Sequence, residues 1–135
     1  MSEAIEQLKA NLPTHPPVDS LKPLEEDYTG LRILAVHAHP DDESSKGAGT
    51  ASAYIARGAR FMVATMTGGE RGDILNEEIA KSPRAHRDLP GLRRAEMAAA
   101  REIMGIEHRW IGFFDSGLPE GDPMPPLPFG SFGTM

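Results

Sequence analysis

Three short, mainly apolar runs, separated by two segments with a helical pattern, most constrain how this chain can fold. The runs occupy residues 31–36, 61–66 and 109–114. The helical segments are 44–58, which ends at a glycine, and 92–104, which Gly105 closes. Short apolar runs of this kind are typical of strands that are covered on both faces, as in a parallel sheet.

The order strand, helix, strand, helix, strand predicts an α/β fold with a Rossmann-like parallel sheet, flanking helices and right-handed crossovers. In the first helix, the residues available for the inner side are Ala48, Ala51, Tyr54 and Ile55. In the second, the amphipathic pattern is Leu92, Ala95, Ala99 and Ile103. We also assign Met97 and Met104 to the core. The intervening segment 76–90 is polar and predicts irregular structure with at most a helical turn.

The length of 135 residues predicts one domain with a modest core. Residues 1–30 are interrupted by prolines and predict a flexible extension that carries His15. The α/β domain is expected at 31–116. Residues 117–135 form a Pro-rich, irregular tail without a legible helix or strand, so the sheet is expected to be truncated after its third strand.

Composition excludes several classes of function. A net charge of -6 without a basic stripe disfavours nucleic acid as a partner. The absence of cysteine excludes thiolate catalysis and leaves His, Asp and Glu as metal ligands. The chain has neither a signal-like start nor an apolar run of membrane-spanning length, so we expect a cytoplasmic protein with a small-molecule partner and no membrane contact.

Polar clusters follow each predicted strand. They are His39, Asp41 and Asp42 after the first strand, Glu70, Arg71 and Asp73 after the second, and Asp115 and Ser116 after the third. Ligands of open parallel sheets bind beyond the carboxyl ends of the strands, so these clusters are expected to converge on one site.

The first cluster favours a metal site. His39 and Asp42 are good ligands for a divalent metal, and Asp41 is placed to act as a general base. The alternative is that Asp41 or Asp42 only caps the next helix, but a cap leaves the adjacent His-x-His unexplained. His37 is expected to pack or to orient a neighbour. His86 and His108 are expected to be solvated, with His108 at the edge of the sheet opposite the site.

The glycine-rich loop at 68–72 follows the second strand, which permits a nucleotide-binding module as a further hypothesis. The loop lacks the Lys and Ser/Thr of a phosphate-binding loop, and Glu70 and Asp73 would repel phosphate. Sugar hydroxyls suit these carboxylates better, although an ordinary turn is the alternative for Glu70. Arg93 lies in the first turn of its helix, where a cation is unfavourable; this indicates a ligand contact or, by default, a solvated side chain.

Residues 37–44, with the sequence HAHPDDES, closely resemble the signature of the LmbE-like (PIG-L) zinc deacetylase superfamily. Residues 67–76 and 112–123 resemble one branch of it, the mycothiol S-conjugate amidases. Ser45-Lys46-Gly47 also selects this branch. The resemblance runs from about residue 31 to residue 129.

This resemblance implies one Zn²⁺ per chain, held by His39 and Asp42, with Asp41 as general base. It implies hydrolysis of the amide that joins an S-conjugated N-acetylcysteine to glucosaminyl-inositol, in thiol-based detoxification. Arg93 and Asp115 match positions that contact sugar and inositol hydroxyls, and Lys46 matches a position associated with the amidase branch. With Asp73, these residues form the expected substrate-binding set. The alternative within the family is the N-acetylglucosaminyl-inositol deacetylase of mycothiol biosynthesis.

One departure from the family pattern accompanies these matches. Family members carry a third zinc ligand, a His in a His-x-x-His type of motif, and an oxyanion-stabilising His, both further downstream than Met135. The chain is therefore expected to be the N-terminal portion of the family fold, with weakly held zinc. An inactive fragment with an exposed sheet edge is the remaining alternative.

Overall fold

The computed structural model describes residues 26–135. Most of the predicted extension, including His15, lies outside these residues. The strands are β1 (Arg32–His37), β2 (Arg60–Thr67) and β3 (Glu107–Phe113), and the α-helices are α1 (Ala48–Ile55), α2 (Glu77–Ala80), α3 (Pro83–Arg87) and α4 (Leu89–Met104). A π-helical turn, Glu43–Gly47, precedes α1, and a 3-10 turn, Phe132–Thr134, lies near the end of the chain. No helix in the described part of the chain is long and apolar enough to cross a membrane.

The three strands form one parallel sheet in the order β1-β2-β3, which confirms the predicted fold class. Ile33 pairs with Phe61, and Val63 pairs with His108. Since strand order follows chain order, right-handed crossovers place both connecting helices on the same face of the sheet. The core lies on that face, where Ala51 and Met104 meet the strands.

Coverage of β1 on both faces is a wrong prediction for the part of the chain that the structure describes. Exposure alternates along β1, and Leu34 and Val36 are 61% and 59% exposed. Their neighbours Ile33 and Ala35 point to the other face and pack on the core. The central strand β2 does match the prediction, with Val63 and Thr65 inaccessible to solvent.

The inner face of α4 also differs from the predicted one. Met97 is buried and Met104 packs on the core, as expected, whereas Ile103 is 85% exposed. Ala95 and Ala99 are exposed too. The covered side of α4 therefore passes through Arg93, Met97 and Met104, at helical spacing. Because Arg93 is polar, the amphipathic pattern of the sequence did not place it on the covered side of the helix.

The ends of the helices follow local capping chemistry. Asp88 accepts a hydrogen bond from the N–H of Gly91 and so caps α4 three residues earlier than predicted. Gly105 ends the same helix in the left-handed conformation, as predicted. Asn76 caps α2, and α3 follows it. The segment that was expected to be irregular therefore holds two short helices. In the tail, a parallel bridge between Phe114 and Ser131 extends the end of β3, which the sequence did not indicate.

Candidate active site

The carboxyl ends of the three strands bring the predicted polar clusters together. At the end of β2, the N–H and the hydroxyl of Thr67 both donate to the carbonyl of Ala38, at 3.1 and 2.8 Å. Beyond β3, the N–H of Asp115 donates to Glu70 Oε2 at 2.9 Å, and the N–H of Arg71 donates back to Asp115 Oδ2 at 3.3 Å. The convergence expected from the sequence is therefore present, and it is built largely from backbone donors.

The turn after β1 folds the Asp42 carboxylate back toward His39. Asp42 Oδ2 accepts the backbone N–H of His39 at 3.1 Å, and the same oxygen lies 4.0 Å from His39 Nδ1. Asp42 is 7% exposed and makes no side-chain cap bond to the following helical turn. Instead, the carbonyl of Asp41 accepts the N–H groups of Ser44 and Ser45. The alternative in which Asp42 serves only as a helix cap is therefore wrong.

Electrostatics favour the ionised form of Asp42. Burial raises the pKa of its carboxyl, but the contact with Lys46, the hydrogen bond from the N–H of His39 and nearby positive charge outweigh it, so that the pKa lies below its usual value. The Lys46 ammonium contacts Asp42 Oδ1, and this contact raises the pKa of Lys46. Lys46 is itself mostly exposed. Asp42 is thus a carboxylate that already attracts a cation.

We call His39, Asp42 and Asp115 the ligand side of the turn. Asp115 is 4% exposed, and its Oδ1 accepts the N–H of Gly117 at 2.9 Å. The same oxygen lies 3.4 Å from His39 Nε2. The imidazole therefore has a carboxylate near each of its two nitrogens. The ring and Asp115 also line a cavity of about 320 Å³.

We call Asp41, Asp73 and Arg93 the cleft side of the turn, because all three line a separate cavity of about 220 Å³. Asp41 and Asp73 are exposed, whereas Arg93 is half-buried against the glycine-rich loop. A methyl group on Gly72 would lie 2.6 Å from Arg93 Nη2, and one on Gly69 would also meet this guanidinium. The two glycines thus leave the room that the Arg93 side chain fills. This contact explains why a cation stands on the covered side of α4. The prediction that Arg93 lies in the first turn of its helix is wrong, because the helix begins at Leu89.

The remaining histidines of the described residues differ in their distance from the His39 and Asp42 pair. His37 lines the cavity of about 320 Å³ together with His39, and it also lines a third cavity, of about 200 Å³, with Glu43. His86 Nε2 lies 2.6 Å from the carbonyl of Ala80. The expectation that His108 is solvated is wrong, because it is half-buried and its Nε2 lies 2.9 Å from the hydroxyl of buried Thr65. Burial is the main reason why the pKa of His108 is lowered.

Glu43 is a residue to which the sequence reasoning assigned no role. It is 2% exposed, Ser44 donates to its Oε1, and its Oε2 has no hydrogen-bond partner among the residues described here. The signal that would have found it is its place within the 37–44 motif. Between residues 26 and 135, no group of three or more His, Cys, Asp or Glu side chains is arranged to hold a metal ion.

Comparisons with known proteins identify relatives over about three quarters of the chain. The chain is 56% identical over 102 residues to mycothiol S-conjugate amidase of Streptomyces coelicolor, covering 76% of this chain and 35% of the relative. It is 40% identical over 105 residues to the 1D-myo-inositol 2-acetamido-2-deoxy-alpha-D-glucopyranoside deacetylase of Corynebacterium glutamicum strain R, covering 74% and 36%. The chain thus spans about a third of the length of these curated relatives.

A solved structure supports the fold. N,N'-diacetylchitobiose deacetylase from Pyrococcus horikoshii aligns with a TM-score of 0.52 and 25% identity, over 65% of this chain and 31% of that one. The family model described as PIG-L, GlcNAc-PI de-N-acetylase, matches residues 34–125, which include most of β1, all of β2 and β3, and both sides of the turn. This chain therefore belongs to the PIG-L (LmbE-like) family.

Proposed function

We propose that this chain is a zinc-dependent hydrolase that cleaves a linear amide on an amino sugar, with an active site at the carboxyl ends of its strands. The proposed substrate is a mycothiol S-conjugate, cut between the S-conjugated N-acetylcysteine and glucosaminyl-inositol. The observation that carries the proposal is the 56% identity with a mycothiol S-conjugate amidase across a segment that contains His39, Asp41 and Asp42. The cytoplasmic location and the role in detoxification stay predictions.

The side chains at the turn fit zinc in their chemistry. Imidazole nitrogen and carboxylate oxygen are both zinc ligands. His39 Nδ1 and Asp42 Oδ2, at 4.0 Å, are too far apart to hydrogen-bond to each other, so neither lone pair is used up by the other. His39 and Asp42 would hold the metal, and Lys46 would have to release Asp42 to it. When bound, zinc supplies Lewis acidity that polarises the scissile carbonyl.

Asp41 is the proposed general base. Its side chain is exposed at the cavity of the cleft side, one residue from Asp42, so a water molecule can reach it there. It would accept a proton from the water that attacks the amide carbonyl and return that proton to the departing amine. Asp73 and Arg93, which line the same cavity, would bind sugar or inositol hydroxyls and orient the substrate.

Deacetylation of N-acetylglucosaminyl-inositol is the second candidate function. The 40% identity with a deacetylase that is named for this substrate favours it. Both reactions release the same kind of amine and need the same base and metal. They differ in the size of the acyl group, which is an acetyl group in one case and a conjugated N-acetylcysteine in the other.

Metal analysis and amide hydrolysis by the purified chain test the proposal. We expect zinc-dependent release of amine, faster from the S-conjugate than from the acetylated sugar. Asp41→Asn is expected to lower turnover by about 10²- to 10⁴-fold because the base is lost, while zinc binding stays unchanged. Glu102→Gln, at an exposed carboxylate on α4, is the matched control and should keep wild-type turnover. Absence of turnover on both substrates by the zinc-loaded wild-type chain would reject the proposal.

A further inference from the structure

Asp115 holds a fixed position at the end of β3. Its Oδ1 accepts the N–H of Gly117 and its Oδ2 accepts the N–H of Arg71. Its own N–H donates to Glu70 Oε2. Both carboxylate oxygens are therefore engaged by backbone donors, and the side chain is 5% exposed. A carboxylate held in this way keeps one orientation.

The His39 ring lies between two carboxylates. Its Nε2 is 3.4 Å from Asp115 Oδ1, and its Nδ1 is 4.0 Å from Asp42 Oδ2. The ring side chain is 42% exposed, so a small rotation is sterically available. A distance of 3.4 Å is longer than a well-formed hydrogen bond, so a hydrogen bond between these two atoms requires a rotation of the ring. Asp115 is thus the nearer of the two acceptors to an imidazole N–H.

We infer that Asp115 is a positioning residue for His39. It accepts a hydrogen bond from the Nε2–H group and so keeps the proton on Nε2. The lone pair of Nδ1 is then left on the side of Asp42. A carboxylate that receives the second N–H of a metal-binding imidazole fixes the tautomer and the ring orientation and makes the ligand more basic. The inference deepens the proposed function and rests on it wherever zinc is involved.

The division of the site into two cavities places Asp115 beside His39. Asp41, Asp73 and Arg93 line one cavity, whereas Asp115 and His39 line the other. Asp115 is therefore placed with the proposed ligand and not with the proposed base and hydroxyl-binding groups. The resemblance to the amidase branch implied a substrate contact for Asp115, and the geometry points to a different partner.

The first experiment uses the metal-free chain and does not depend on zinc. Proton–nitrogen NMR of the histidine rings is recorded about two pH units above the ordinary histidine pKa of about 6.5. The His39 signals are assigned by their loss in His39→Gln. We expect an Hε2 resonance that exchanges slowly with water in the wild type. It should be broadened or lost in Asp115→Ala and partly restored in Asp115→Asn, which keeps an acceptor oxygen.

Glu70→Ala is the matched control. It removes the acceptor of the Asp115 N–H and perturbs the same loop without taking an atom from His39. We expect it to keep the slowly exchanging Hε2 resonance. An equal loss of that resonance in Glu70→Ala, or an unchanged resonance in Asp115→Ala, would overturn the inference. So would a His39 ring that carries its proton on Nδ1.

The second experiment measures zinc affinity by competition with a chelator. Asp115→Ala is expected to lower the affinity by about 10- to 100-fold, as is typical for loss of an outer partner of a ligand, and Glu70→Ala much less. Equal affinities in the wild type and Asp115→Ala would contradict the inference. If the wild type binds no zinc, the proposed function fails, and the metal-free NMR result then decides by itself whether Asp115 positions His39.

Discussion

The two sides of the turn after β1 are built in opposite ways. On the ligand side, Asp42 and Asp115 are buried, and backbone N–H groups hold their carboxylates. On the cleft side, Asp41 and Asp73 are exposed, and glycines make room for Arg93. In the proposed site, the groups assigned to the metal are fixed by the backbone, whereas the two carboxylates assigned to the water and the substrate are left solvated. Four consecutive residues, 39–42, therefore serve both requirements.

Removing Asp42 tests the ligand side most severely. Asp42→Ala should lower zinc affinity by more than the 10- to 100-fold typical for an outer partner, because a direct ligand is lost. Asp73→Ala, on the cleft side, is the matched control and should keep wild-type zinc affinity. Isothermal titration with zinc measures both variants. Equal losses in the two variants would break the distinction between the sides.

Displacing Arg93 tests the cleft side without touching its charge. A methyl group on Gly72 meets the end of the Arg93 side chain, which can swing away without unfolding the loop. Gly72→Ala is therefore expected to raise KM about tenfold, which corresponds to about 1.4 kcal/mol. Zinc affinity should stay unchanged. Steady-state kinetics with the amide substrate and a zinc titration provide the measurements.

Gly49→Ala is the control for this substitution. Gly49 lies in α1, and a methyl group there would meet nothing within 4 Å. We expect unchanged kinetics and a gain in the free energy of unfolding of about 1 kcal/mol, because alanine favours a helix. A KM that rises equally in Gly49→Ala and Gly72→Ala would remove the role given to Arg93.

Lys46 contacts Asp42 at the rim of the ligand side, so it would compete with the proposed metal for this carboxylate. Lys46→Met should raise zinc affinity about twofold, a small effect because the ammonium is largely solvated. Lys81→Met is the matched control, since Lys81 is as exposed as Lys46 and pairs with Glu78, a carboxylate away from the site. Chelator competition at two salt concentrations checks the expectation. A lower zinc affinity in Lys46→Met would show that Lys46 supports the metal site instead of competing with it.

The smallest effect is expected from His108 in β3, through the pH dependence of the free energy of unfolding. Burial lowers the pKa of His108, while the charge of Glu43 raises it and that of Arg101 lowers it further. Because the unfolded chain takes up the proton first, the free energy of unfolding should fall as pH drops below about 6.5 and level off below the folded-state pKa.

His108→Gln should flatten this pH dependence, and His86→Gln, at an exposed histidine, should leave it in place. Denaturant unfolding between pH 5 and pH 8 gives the curves. If the slope survives in His108→Gln, His108 is not the source of the pH dependence.

The strand order was predictable because a short apolar run needs little context to be recognised. The covered side of α4 was not predictable, because Arg93 lies where the amphipathic pattern expects an apolar residue. Arg93 is covered because it packs against the loop at 68–72, which is distant in sequence. The sequence did not predict that Leu34 and Val36 are exposed either. An apolar strand has the same composition whether one or both of its faces are covered.

The sequence predicted which residues form the site, but it did not predict their separation into a ligand side and a cleft side. Residues after the strand ends converge in any parallel sheet, so His39, Asp42 and Asp115 were found together. Which nitrogen of His39 faces which carboxylate depends on backbone bonds from Arg71 and Gly117, and composition does not show these. Lys46 was expected near the site, but its contact with Asp42 depends on the helical turn between them.

The parallel pairing of the strands has a consequence for the order of folding events. Ile33 meets Phe61, and Val63 meets His108, so every strand pair joins residues that are distant in the chain. Such long-range pairing is slow to form compared with local helical contacts. Thr67 holds the carbonyl of Ala38 next to His39 only after β1 and β2 have paired. The turn should therefore reach its final shape late in folding, after the helices have formed.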